Sequence, residues 1–189
     1  MTYSLSLNTP MQSIFCSKQG GLAKQVLLVI TGVLVLAFSS QLSIPLMPVP
    51  LTFQSTTVVL IGMAYGPRNG SYVIMAYLLA GICGIPVFAD FSAGISKLYG
   101  PTMGYLIGFL PAAFLSGYLA QKGFAKNIYT SFVAACLGVS VIFFLGVTIL
   151  AQYAGLRAAI EFGLVPFLLS EPIKLIAVAC VIPKLWKRQ

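Results

Sequence analysis

The chain has 189 residues, 59% of them hydrophobic and only 7% charged, where an average soluble domain carries about 25% charged residues. This excludes a water-facing globular domain and implies an all-α integral membrane protein, one bundle in which each spanning backbone satisfies its own hydrogen bonds. The net charge of +8 is scattered over short polar stretches, with no basic amphipathic helix or aromatic-interleaved stripe, so it reads as a topology signal and no nucleic-acid partner is expected.

Residues 1–23 are polar and mixed. No apolar run precedes a small-residue cleavage site, so they are expected to form a short cytoplasmic lead to a transmembrane domain at 24–189. The first span is predicted over 24–43. Pro45, Pro48 and Pro50 then forbid a continued helix and favour an extended loop. A shorter second span, 51–65, carries Gln54, Ser55, Thr56 and Thr57 in its first half. These side chains either face a wet or ligand-lined cavity, or Ser55 or Thr56 simply caps the helix. Gly66 to Gly70 reads as a tight turn before a third span, 71–87. A longer loop, 88–102, holds Asp90, Lys97 and Tyr99. The fourth span is 103–120, the fifth 128–153, a loop carries Arg157 and Glu161, and the sixth is 164–185.

An even number of spans puts both termini on one side. Lys18, Lys24, Arg68, Lys122, Lys126, Lys184, Lys187 and Arg188 fall on that side, against Lys97 and Arg157 on the other, so both termini are predicted to be cytoplasmic. Small residues recur at four-residue spacing (Gly62 and Gly66, Gly66 and Gly70, Ala80 and Gly84, Gly104 and Gly108). Such pairs let helices approach closely, within the bundle or against another subunit, and the spacing does not separate the two.

The sixth span carries a carboxylate, Glu171, and an ammonium, Lys174, near its middle. A charge at mid-span costs about 2.5–3.5 kcal/mol on the insertion scale, so two in one helix need a reason. Being i and i+3, they share a face. They form either a self-neutralising pair within the bundle or a polar floor for a ligand with donor and acceptor groups. The loops 44–56, 88–102 and 154–163 lie on the outer side, and Glu171 lies in the half of its span nearer them. Lys97 and Gln54 add polar groups there, and Phe53, Phe88, Phe91, Tyr99 and Tyr105 border the same loops, as walls of a pocket or as interface anchors. Asp90 reads as a solvated loop charge.

Catalysis has little to work with. There is no histidine, and Cys16, Cys83, Cys136 and Cys180 form no CxxC pair, so neither a metal site nor a cofactor is expected. No nucleophile–base set is visible, and no GxxxxGK[ST] phosphate loop is present, so the chain is not read as an enzyme and uphill transport would need a partner.

The stretches PLMPVPLTFQSTTVVLIGMAYGPRNG and YLLAGICGIPVFADFSAGIS, and above all GPTxGYLxGF at 100–109 downstream of GIPVF at 84–88, resemble the biotin transporter BioY family over roughly residues 40–180. Members are the substrate-binding S-components of energy-coupling factor (ECF) transporters. The resemblance implies six transmembrane helices that bind biotin from outside, a surface in contact with lipid, and partnership with a transmembrane coupling protein and ATPase subunits. The family's Asp-x-x-Lys in the last helix corresponds to Glu171 and Lys174, which keeps the charges and lengthens the acid by one methylene. It implies that Glu171 accepts from a ureido N–H of biotin and that Lys174 donates to the ureido oxygen or holds Glu171. By position, Lys97 is the candidate for the tail carboxylate, with Gln54 and Tyr105 as further polar contacts and Phe88 in the wall. The alternatives are an S-component for another vitamin, of the thiamine or riboflavin type, or an orphan membrane enzyme or structural membrane protein.

Overall fold

The computed structural model describes residues 22–186. The polar lead therefore lies almost wholly outside the described residues, as do Cys16, Lys18, Lys187 and Arg188. The helices are α1 (Leu22–Gln41), α2 (Gln54–Ile82), α3 (Met103–Leu119), α4 (Ile128–Ala154), α5 (Leu156–Gly163) and α6 (Val165–Trp186). Two short strands, β1 (Ser43–Ile44) and β2 (Leu51–Thr52), pair antiparallel and close the proline-rich loop into a hairpin. Single 3₁₀ turns at Ala89–Phe91 and Ile95–Tyr99 shape the loop before α3, which ends in a π-helical turn, Ala120–Phe124.

The burial pattern is that of a protein in lipid. Val26, Leu27, Ile30, Leu34, Val35 and Phe38 of α1 point outward, and the other helices also expose large apolar side chains. Hydroxyls on these faces satisfy themselves against their own helix: Thr31 donates to Leu28 O at 2.9 Å, Ser140 to Cys136 O at 2.8 Å and Thr148 to Phe144 O.

Four stretches, Leu22–Gln41, Met103–Phe124, Ile128–Ala154 and Leu156–Trp186, are by length and composition apolar enough to cross a membrane. Six spans were expected. The difference lies in α2, which contains most of both expected spans 51–65 and 71–87 but dilutes its apolar content with Gln54–Thr57 and with Arg68–Ser71. It is not one straight rod. Gly66 has φ 80° and ψ 171°, outside the helical region, and contacts run across it. Gln54 Nε2 donates to Tyr77 Oη, and a Cβ on Gly70 would lie 3.0 Å from Gly62 Cα. Along a continuous helix Gln54 and Tyr77 would stand about 35 Å apart. The chain thus reverses at Gly66 into two antiparallel arms, residues 54–65 and 67–82. Only glycine adopts that backbone conformation readily, and Pro67 suits the first turn of the second arm.

The arms pack hardest against α3. A Cβ on Gly117 would come within 2.6 Å of both Gly62 O and Pro67 N, so backbone meets backbone at that crossing. Gly104 and Gly108 likewise admit the backbone of α4 around Leu145–Gly146 and Ile142. The small-residue spacing is therefore used within the bundle at these positions. One expectation is corrected: the segment with Arg157 and Glu161 is not a loop but the short helix α5. It opens at Gly155 with φ 80°, and it buries Ala159 and Gly163 while exposing Leu156, Ile160 and Phe162.

Candidate functional site

At the end of the bundle where the β1–β2 hairpin and the loop before α3 meet lies a cavity of about 490 Å³. The hairpin residues Pro45 to Pro50 cover it. Its apolar walls come from Phe88, Tyr105, Phe109, Ile142, Phe143 and Phe167, and its polar groups from Thr52, Gln54, Ser55, Asp90, Ser92, Ser96 and Lys97. This is the size and chemistry of a small-molecule pocket, apolar with few polar groups.

Gln54, Phe88, Lys97 and Tyr105 thus share one cavity. Phe88 and Tyr105 are buried and Lys97 is exposed at the rim. Gln54 is fixed by its bond to Tyr77 Oη, which itself donates to Val87 O at 2.8 Å. The phenol of Tyr105 is already committed, donating to Gly163 O at 2.9 Å, so Tyr105 presents a ring. That ring stacks on Phe167 with centroids 6.4 Å apart and meets Phe143 edge-on at 6.0 Å. Phe53, Phe91 and Tyr99 are exposed and do not line the cavity. Asp90, expected only as a solvated charge, does line it, and accepts from Ser43 Oγ at 2.9 Å.

Glu171 and Lys174 do not line this cavity. They stand one layer behind it, 4% and 7% exposed, and they are ion-paired. Glu171 accepts from Ser55 Oγ at 2.9 Å and Thr56 Oγ1 at 3.4 Å, and Lys174 donates to Thr52 O at 2.9 Å. Thr52 and Ser55 are themselves wall residues, so the pair is joined to the cavity through them. The Lys174 ammonium also sits 5.4 Å from the Phe53 ring centroid. Of its three N–H donors, Glu171 and Thr52 O engage two. On the other side Glu171 borders a second hollow of about 550 Å³ between α4 and α6, lined mostly by apolar side chains such as Val147, Leu164 and Leu168. Phe143 and Phe167 face both hollows, their centroids 5.0 Å apart.

Sequence reasoning left the hydroxyls at the start of α2 open between capping and cavity. The residue before that helix, Phe53, makes no side-chain cap, and Ser55 and Thr56 turn to Glu171 instead. Sequence reasoning missed Tyr77, Phe143 and Phe167. Nothing local distinguishes them from ordinary helix-core aromatics. Only the meeting of α2, α4 and α6 brings them to the site.

Known proteins are similar to this chain in both sequence and fold. A biotin transporter BioY of Thermotoga maritima is 40% identical over 148 residues, covering 77% of this chain and 86% of the relative. Biotin transporter BioY2 of Lactococcus lactis is 33% identical over 153 residues, covering 80% and 84%. The fold is similar to the crystal structure of the S-component for biotin from an ECF-type ABC transporter, with a TM-score of 0.81, 24% identity, and coverage of 91% of this chain and 95% of that one. The BioY family model itself matches residues 8–189, nearly the whole sequence, and the chain belongs to the BioY family.

Proposed function

We propose that this chain is a multi-pass plasma-membrane subunit that takes up biotin, binding it from the external side and delivering it across the membrane with an ATP-driven ECF module. The observation that carries this is the 490 Å³ cavity under the proline hairpin, apolar along its walls and polar where Thr52, Gln54 and Ser55 meet it. Biotin has matching parts: a ureido ring with two N–H donors and one carbonyl acceptor, an apolar thiophane ring, and a carboxylate tail.

In this reading the rings lie among Phe88, Tyr105, Phe143 and Phe167, and Lys97 at the rim holds the carboxylate. The ureido group points to the Thr52–Ser55 wall. There it displaces the Ser55 hydroxyl from Glu171, so that the carboxylate accepts a ureido N–H, while the third proton of Lys174 goes to the ureido oxygen. One hydrogen bond replaces another, so the desolvated pair is never left unmatched, which is the costly alternative. Gln54 supplies a further polar contact.

The same reading has six membrane crossings, counting residues 54–65 and 67–82 separately, with both termini cytoplasmic. Trp186 Nε1 donates to Met63 O at 3.2 Å, so the end of α6 lies beside the Gly66 reversal. Lys24, Arg68, Lys122, Lys126 and Lys184 gather toward that end, opposite the cavity and Lys97, as the positive-inside rule requires of the cytoplasmic side. The outward apolar faces meet lipid. Because the sequence offers no phosphate loop, the energy comes from a coupling protein with ATPase subunits.

The test is calorimetry on the purified protein in detergent, with biotin, thiamine and riboflavin offered in turn. Heat of binding for biotin alone supports the assignment. Silence with biotin and a signal from another vitamin overturns it.

A further inference from the structure

One side chain outside the cavity bonds to the backbone of its wall. Gln41, the last residue of α1, does not line the cavity. Its amide forks around the turn that does. Nε2 donates to Phe88 O at 3.0 Å, and Oε1 accepts from the Phe91 backbone N–H at 2.9 Å. A carbonyl on one side and an N–H on the other determine which way the amide faces. Between these two anchor points sit Ala89 and Asp90, and Phe88, Ala89 and Asp90 are all cavity residues.

The turn needs holding. Asp90 has φ 58° and Phe91 φ 52°, two consecutive non-glycine residues in the left-handed region, an arrangement that persists only where surroundings over-determine it. Its own bonds are few: Phe88 N–H to Ser92 O at 3.1 Å, Ser92 N–H to Ala89 O at 3.2 Å, and Ser92 Oγ to Ala89 O at 2.6 Å. Further restraints come from the end of α1 and the start of β1, where Ser40 Oγ donates to Val87 O at 2.6 Å and Ser43 Oγ donates to Asp90. Val87 O also takes the Tyr77 hydroxyl that fixes Gln54. The α1 terminus therefore reaches two cavity walls without touching the cavity.

We infer that Gln41 is a positioning residue for ligand capture: its amide fork holds the left-handed 88–91 turn in the shape that closes the cavity. This rests on the biotin reading for the ligand but not for the fork. The test uses two variants of the full chain in detergent, Gln41→Met, which keeps length and helix propensity but has no fork, and Gln41→Glu, which keeps only the acceptor. Amide hydrogen exchange of the ligand-free protein is followed alongside biotin binding. Gln41→Met is expected to speed exchange at Phe91 at least about tenfold while the helices keep their protection, and to weaken biotin about tenfold through faster dissociation. Gln41→Glu is expected to keep Phe91 protected, since a carboxylate still accepts from its N–H. Unchanged exchange at Phe91 in Gln41→Met overturns the inference, as does faster exchange with unchanged biotin affinity. A wild-type protein that binds no biotin refutes the functional reading instead, and the exchange data then decide the fork by themselves.

Discussion

Replacing Lys174 by methionine isolates what the buried pair does. The substitution keeps most of the side-chain volume and removes the ammonium that bonds Glu171 and Thr52 O. Thr52 is 7% exposed, so its carbonyl is left without that donor in a nearly dry site, at about 1–3 kcal/mol. Glu171, 4% exposed, keeps only the Ser55 and Thr56 hydroxyls. An uncompensated buried charge brings the expected total to about 3–5 kcal/mol. Adding Glu171→Gln removes the orphan charge while keeping an oxygen that accepts from one hydroxyl and an NH2 that donates to the other, so the double variant should recover most of that loss. Biotin affinity should not recover with it, because the ureido oxygen has lost the Lys174 donor and the ureido N–H meets a neutral amide oxygen in place of a carboxylate. Thermal unfolding in detergent, paired with calorimetric titration of biotin, reads the two effects separately. A double variant as unstable as Lys174→Met would refute the idea that an unmatched charge sets the penalty. A double variant that binds biotin as wild type does would show that the pair serves only the fold.

Three further outcomes follow from other parts of the site. Lys97→Ala should weaken biotin about tenfold and leave its uncharged amide unaffected, with the difference shrinking at high salt; equal losses for both ligands in a titration would remove Lys97 from the carboxylate role. Because the Tyr105 hydroxyl serves Gly163 O, Tyr105→Phe should cost about 1 kcal/mol of stability yet keep biotin affinity within about threefold. Tyr105→Ala, which deletes the ring packed on Phe143 and Phe167, should lose far more affinity, and a loss with Phe as large as with Ala would show the hydroxyl in contact with ligand. Gly66→Ala forces a Cβ onto φ 80° and ψ 171° and should destabilise the bundle by about 1–3 kcal/mol, seen as a lowered unfolding temperature; an unchanged midpoint would mean that the reversal tolerates a side chain.

Much of this molecule is a one-dimensional property of its chain. Hydropathy and the scarcity of charge place helices over 24–43, 103–120, 128–153 and 164–185, and the structure has them at Leu22–Gln41, Met103–Leu119, Ile128–Ala154 and Val165–Trp186. Lipid enforces those segments residue by residue, because each must close its own backbone hydrogen bonds wherever its neighbours lie. The cost of Glu171 and Lys174 in a span is legible for the same reason. What surrounds them is not. Ser55 and Thr56 serve equally well as caps or as ligands of a carboxylate, and only the approach of α2 to α6 decides that they bind Glu171. Phe143 and Phe167 become cavity walls, and Gln41 becomes the clamp of a distant turn, through contacts between segments far apart in the chain. Such contacts depend on which helix faces meet, and the backbone of a membrane helix is satisfied equally well in any orientation.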